Sequence, residues 1–256
     1  MSKQTEISDT GTKNVKAIVM YDGTRFSGWQ SQGNTPNTIQ AIVEEALTKA
    51  LGVQTAVVGA SRTDAGVHSV GQTINFSVPA RFAANEVAQL ANAQLPADIV
   101  IHSASETHAR FHARYNAAGK TYRYQIWNRS ALDPFTRKYS LWVPDQLDLG
   151  KMRLAAEQFV GNKDFKAFST GKTKKSTVKT VELLAIDATD GMISITIRGD
   201  GFLYNMVRII VGTILEAGLR QRDPLAIPAV FASGDRQNAG YTVPAHGLFL
   251  DAVYYM

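Results

Sequence analysis

The chain has 256 residues, 45% of them hydrophobic, enough to close one large core or two joined ones and too apolar for a disordered chain. It contains no cysteine, which removes disulfide frameworks, thiolate metal sites and a cysteine nucleophile and suits a reducing compartment. Lys plus Arg number 27 against 22 Asp plus Glu, a net charge of +5 that favours a polyanionic partner without requiring one.

Residues 1–14 are polar and aperiodic and read as a flexible tail. They lack the apolar core of a signal peptide, and no apolar run reaches the roughly 18 residues of a membrane span, so a soluble, cytoplasmic protein is expected. Val15 to Tyr21 reads as the first strand, and a Gly, Ser and Asn-rich loop runs from Asp22 to Asn37. The ring of Trp29 within that loop is expected to fold back onto the core. Asn37 with Gln40 resembles a capping box, and Ile39, Ile42, Val43, Ala46, Leu47 and Ala50 recur at helical spacing. The apolar run Val53 to Val58 and the alternating run Gln72 to Val78 read as strands, with the polar stretch Gly59 to His68 as the loop between them.

Asn85 to Ala93 reads as a second helix and Ile99 to Glu106 as a strand. Lys120 to Trp127 alternates, so that Tyr122, Tyr124 and Ile126 share one face. Asp148 is placed to cap a helix whose apolar face is Met152, Ala155, Ala156, Phe159 and Val160. A basic loop, Lys166 to Lys179, precedes a hairpin of Val181 to Asp187 and Met192 to Arg198 around Thr189-Asp190-Gly191. The next helix buries Leu203, Met206, Val207, Ile210, Val211, Ile214 and Leu215, with Tyr204, Asn205, Arg208 and Thr213 off that stripe. Pro224 opens a short helix ending near Gly234, and Leu248 to Tyr254 is the closing strand. Strands and helices in similar proportion on both sides of residue 147/148 suggest a tail (1–14), an N-terminal α+β half (15–147) carrying the Asp64 loop and a C-terminal α+β half (148–256), with strands pooled in a central sheet.

Basic residues recur beside aromatics in Tyr21 to Phe26, in Arg110-Phe111-His112-Ala113-Arg114-Tyr115 and in Lys120-Thr121-Tyr122-Arg123-Tyr124, an interleaving that suits RNA because cations meet phosphates while rings stack on unpaired bases. Two short patterns do not hold. Gly171-Lys172-Thr173 imitates the end of a P-loop, but Lys166 stands where the first glycine belongs, and the pair His108 and His112 has no third metal ligand nearby. Within Gly59-Ala60-Ser61-Arg62-Thr63-Asp64-Ala65-Gly66-Val67-His68, the small residues leave room for another molecule against the backbone. Asp64 has two readings there. It is a carboxylate held ionised beside arginine, able to act as nucleophile or charge stabiliser, or a turn aspartate bonding its own backbone; on the residues alone the turn is the stronger reading.

That loop resembles the tRNA pseudouridine synthase A family, and the resemblance does not rest on it alone. Tyr21-Asp22-Gly23-Thr24 with Gly28-Trp29-Gln30, Lys120 to Tyr124, Gly201 to Gly212 and Pro244 to Leu250 resemble further blocks of that family, in family order and across nearly the whole chain. Ser61 departs from the glycine many members carry, and the loop from Gly171 to Ser176 has its own basic character.

The resemblance implies a pseudouridine-synthase-like α+β fold, two similar halves sharing a mainly antiparallel central sheet with helices packed on it and an active-site cleft between them. It implies isomerisation of uridine to pseudouridine at positions 38, 39 and 40 of the tRNA anticodon stem-loop, with base flipping, without metal or organic cofactor, by a homodimer. It assigns Asp64 as catalytic carboxylate, Tyr122 as the tyrosine packed on the uracil and candidate base at C5, and Arg208 as the arginine that pairs with Asp64. Arg62 is implied to sit beside the flipped base and help hold the displaced nucleotide, and Leu248 to line the uracil pocket. Arg25, Arg110, Arg114, Lys120, Lys172, Lys174 and Lys175 are the expected RNA contacts from the basic and aromatic stretches. A non-catalytic RNA-binding protein on the same scaffold is the alternative.

Overall fold

The computed structural model describes residues 11–171 and 176–256. The expected tail lies mostly outside them, but its end does not: the first strand, β1, is Thr12–Tyr21 and so takes in Asn14. Two compact units divide the chain, one of residues 1–65 and 69–117, the other of residues 66–68 and 118–256. The expected division at 147/148 falls inside the second unit. The reason is the strand β5, Ala117–Trp127, which pairs residue by residue with β9, Met192–Gly199, from Lys120 opposite Gly199 to Trp127 opposite Met192.

In the first unit β1 lies between β3 (His68–Pro79) and β4 (Ile99–Thr107), antiparallel to both. Val15, Ala17, Val19 and Tyr21 alternate inward along β1, as the twofold period of a strand requires, and pack with Ile39, Val43 and Leu47 of helix α1 (Ile39–Leu51) and Val87 and Ala91 of α2 (Ala84–Asn92). Trp29 belongs to this core at 1% exposure, as expected. Thr38 caps α1, its hydroxyl accepting from Ala41 N at 3.4 Å, whereas Asn37 donates to the Arg25 carbonyl at 2.6 Å; the capping-box reading was one residue early.

The expected strand Val53 to Val58 shrinks to β2, Val58–Gly59, paired with β3. Side chains of α1 have taken its backbone instead. Thr48 Oγ1 accepts from Thr55 N at 3.1 Å, Glu44 accepts from Val57 N at 2.9 Å and Gln40 Nε2 donates to the Val57 carbonyl at 3.1 Å. With those groups satisfied, no neighbouring strand is needed there.

The second unit is a sheet in the order β10-β5-β9-β8-β7, with β7 at Gly161–Asp164, β8 at Val178–Thr189 and β10 at Leu248–Tyr255; the short β6, Leu141–Trp142, joins β5 in parallel. Strands β8 and β9 form the expected hairpin, its two turn residues Asp190 and Gly191 at φ 52° and 87°, the signature of a tight turn that follows the strand twist. Asp148 caps α3 (Leu149–Glu157) by accepting from Lys151 N at 3.1 Å. Helix α4 starts at Met206, not at Leu203, because Asn205 takes a left-handed φ of 61°. Thr213 was expected off the buried stripe and is fully buried, donating to the Ile209 carbonyl at 2.8 Å and accepting from Gly240 N at 3.0 Å. A short helix α5, Ile227–Ser233, completes the unit. Each unit is thus α+β; β1 with β3 and β4, β2 with β3, β5 with β9, β9 with β8 and β8 with β7 pair antiparallel, and β5 with β6 in parallel.

Candidate active site

The loop that carries Asp64 is clamped from both sides by its own unit. Gln72, buried in β3, binds both backbone groups of Ser61: its Oε1 accepts from Ser61 N at 3.1 Å and its Nε2 donates to the Ser61 carbonyl at 2.7 Å. Ala60 N donates to the Thr73 carbonyl at 2.9 Å. Two residues on, Thr63 is buried and held twice, its hydroxyl sharing a hydrogen bond with Tyr21 at 2.8 Å and its carbonyl accepting from Trp29 N at 3.0 Å. Between and beyond these fixed points Arg62 is exposed and Asp64 half-buried.

Two glycines permit that arrangement. At Gly28, φ is 92° and a Cβ would stand 2.8 Å from the Thr63 carbonyl oxygen, so the contact between the two loops closes only without a side chain. At Gly59 a Cβ would meet the Trp29 ring at 2.4 Å. The space that the sequence offered to another molecule at Gly59 is therefore filled by the protein's own indole. Neither Gln72 nor Trp29 was singled out as part of the site; nothing local in the sequence marks a glutamine or an indole that acts on a loop distant in the chain.

Residues 66–68 belong to the second unit. His68 is 1% exposed, with Nε2 at 3.2 Å from the Lys138 carbonyl and 3.1 Å from the His246 carbonyl, so that nitrogen carries the proton and donates to both. Its ring stacks on Phe249 at a centroid distance of 4.7 Å. This histidine ties chain segments together.

In the same unit Tyr122 lies on β5 at 7% exposure, its ring edge-on to Phe202 at 5.2 Å. Tyr124, two residues along the same face, is fully buried and its hydroxyl donates to the Pro244 carbonyl at 2.9 Å. Burial pushes that hydroxyl far above the ordinary tyrosine range; the charge of Arg208 opposes the shift and Tyr241 adds to it. Arg208, on the first turns of α4, is half-buried and fixed at two points: Nε donates to the Val243 carbonyl at 2.7 Å and one terminal nitrogen to Asn205 Oδ1 at 3.0 Å. Asn205 in turn donates to Thr170 Oγ1 at 2.8 Å, and the Ser169 hydroxyl donates to the Tyr204 carbonyl at 3.1 Å. The left-handed residue that starts the helix thus also aims its arginine. Leu248 opens β10 at 5% exposure, within the unit's core.

The expected RNA contacts differ among themselves. Arg25 is exposed and paired with Asp98, Arg110 and Arg114 are exposed, and Lys120 is half-buried on β5. Lys172, Lys174 and Lys175 lie outside the described residues. Chemically, the units supply an accessible carboxylate on a stiff loop, a nearly buried tyrosine and a guanidinium held by backbone and amide.

The family model described as tRNA pseudouridine synthase matches residues 17–116 and 155–256. Among named relatives, tRNA pseudouridine synthase A 2 of Bacillus cereus is 44% identical over 241 residues, 94% of this chain and 98% of that protein. The tRNA pseudouridine synthase A of Bacillus sp. (strain KSM-64) is 43% identical over 241 residues, with the same coverage of 94% and 98%. That of Acetivibrio thermocellus is 43% identical over 244 residues, 95% of this chain and 100% of that protein.

Proposed function

This chain belongs to the tRNA pseudouridine synthase family, and from that membership we propose that it isomerises uridine to pseudouridine at positions 38, 39 and 40 of the tRNA anticodon stem-loop, with Asp64 as catalytic carboxylate. The reaction breaks the C1′–N1 bond, turns the freed uracil and joins C1′ to C5, with a proton lost at C5 and one gained at N1. No atom or electron is exchanged on balance, so the proposal needs no cofactor. A carboxylate serves either by attacking the nucleoside or by assisting elimination to a glycal, and both routes use its ionised form.

The observation that carries the reading is the clamped loop. Its backbone is fixed at Ser61 and Thr63, so Asp64 is held on a stiff mount before substrate arrives, which saves reorganisation at the moment of reaction. In this reading Tyr122 packs on the uracil and takes the C5 proton, Arg208 keeps the carboxylate ionised, Arg62 helps hold the flipped nucleotide and Leu248 lines the uracil pocket. Extruding that nucleotide costs on the order of a few kcal/mol. Phosphate contacts from Arg110, Arg114, Lys120 and the lysines at 172, 174 and 175 offset it; Arg25, already paired with Asp98, is the weaker contact. The enzyme acts as a homodimer in the cytoplasm; among the described residues no helix is long and apolar enough to cross a membrane.

The test is to incubate purified protein with unmodified tRNA and map pseudouridine by chemical labelling. Wild type is expected to modify the three anticodon-arm positions, and Asp64→Asn to form no product while binding tRNA within a few fold of wild type. Product from Asp64→Asn sinks the catalytic assignment. Tight tRNA binding by wild type without any product selects the non-catalytic alternative.

A further inference from the structure

The turn from His108 to Asn116, in the first unit, holds an aromatic ring out to solvent on a stiff backbone. Tyr115 is 78% exposed, and its ring stacks on His112 with centroids 4.1 Å apart and planes 25° from parallel. The turn's shape is set by other groups. His112 N donates to Asn116 Oδ1 at 2.7 Å, and His112 Nδ1 accepts from the N–H groups of Arg114 and Tyr115, each at 3.2 Å. From below, Asn14 Nδ2 donates to the carbonyls of His108 at 3.2 Å and Phe111 at 2.9 Å, and Ala113 N donates to Asn75 Oδ1 at 2.8 Å. A ring mounted this way is already ordered, so a partner that stacks on it pays little conformational entropy.

The charges beside it are available too. Arg110 and Arg114 are exposed, and among the described residues neither guanidinium has an ion-pair or hydrogen-bond partner; Arg123 and Arg222, by contrast, are held by Asp251 and Glu216. With Nδ1 of His112 accepting from backbone, its proton lies on Nε2, a further donor. An exposed π face flanked by unpaired guanidiniums is the chemistry that grips single-stranded nucleic acid: the ring takes a base of any kind and the cations take the phosphates. An apolar protein partner would have to leave those two charges unpaired at its rim.

We propose that this turn is a stacking platform for one unpaired nucleotide of the substrate RNA, its base laid on Tyr115 and its phosphates paired with Arg110 and Arg114. The proposal rests on the reading of the protein as a tRNA-modifying enzyme and adds a contact to it at a residue outside the reacting group.

The experiment is equilibrium binding of full-length protein to unmodified tRNA and to a single-stranded oligouridylate across a salt series. Tyr115→Ala is expected to weaken both by about tenfold and Tyr115→Phe by less than about twofold, since the face of the ring carries the contact. Arg110→Ala and Arg114→Ala should each reduce the slope of log affinity against log salt by about one unit. A blunt RNA duplex, offering no unpaired base, should show no difference between wild type and Tyr115→Ala. Affinities of Tyr115→Ala within twofold of wild type overturn the proposal, and so does Tyr115→Phe being as harmful as Tyr115→Ala. A change in sedimentation of Tyr115→Ala with unaltered RNA affinity overturns it as well, and gives the ring to a contact between copies. Failure of the broader reading is seen separately, as wild type that neither binds nor modifies tRNA.

Discussion

Gln72 presents both ends of its amide to one backbone unit, Ser61, and is itself fully buried, so its removal leaves a donor and an acceptor stranded together. Gln72→Leu is expected to cost about 2 kcal/mol, read from the urea midpoint, and to lower kcat on tRNA more than it raises KM, because the loop that mounts Asp64 loses its inner fixed point. Equal changes in both kinetic constants would point to RNA contact instead. Tyr124 supports a prediction of another kind. Its hydroxyl titrates above the ordinary value of 10.0, chiefly through burial, so the folded state keeps the proton where the unfolded chain releases it. The stability it contributes is full below about pH 10 and is lost as pH rises further. Denaturation midpoints of wild type should therefore fall more steeply above pH 10 than those of Tyr124→Phe, with parallel curves counting against the assignment.

At the scale of elements, the strands and helices with a clear period were legible. The alternation of β1, the helical stripe of α1 and the Asp-Gly turn of the β8–β9 hairpin each stand close to where the pattern places them. Val53 to Val58 was as apolar as a strand, yet Gln40, Glu44 and Thr48 of α1 take the backbone groups of Thr55 and Val57, side chains whose spacing along the helix carries no sign of that use. Gly59 shows the same limit. As a small residue in a loop it suggested room for a ligand, whereas the Trp29 ring occupies the space. Gly59→Ala should then overpack that junction and lower stability by about 1–3 kcal/mol, with a thermal melt as the readout. A melt matching wild type would mean that the indole has somewhere else to go.

For the whole molecule, a net charge of +5 and exposed arginines such as Arg110 and Arg114 predict binding to tRNA that weakens steeply as salt rises. An affinity flat between low and physiological salt would remove the phosphate contacts from the account. The family, the chemistry it performs and the α+β class were readable from the chain alone, because they are written in motifs and periods that each occupy a few neighbouring positions. Only the folded chain decided that β5 joins the later unit, that Thr213 is a buried link to Gly240, that Asn205 aims Arg208 and that Gln72 and Trp29 shape the Asp64 loop. Those outcomes are side-chain bonds to distant backbone and close approaches of rings to glycines. They depend on which residues meet in space, and a chain read along its length carries no local mark of that meeting.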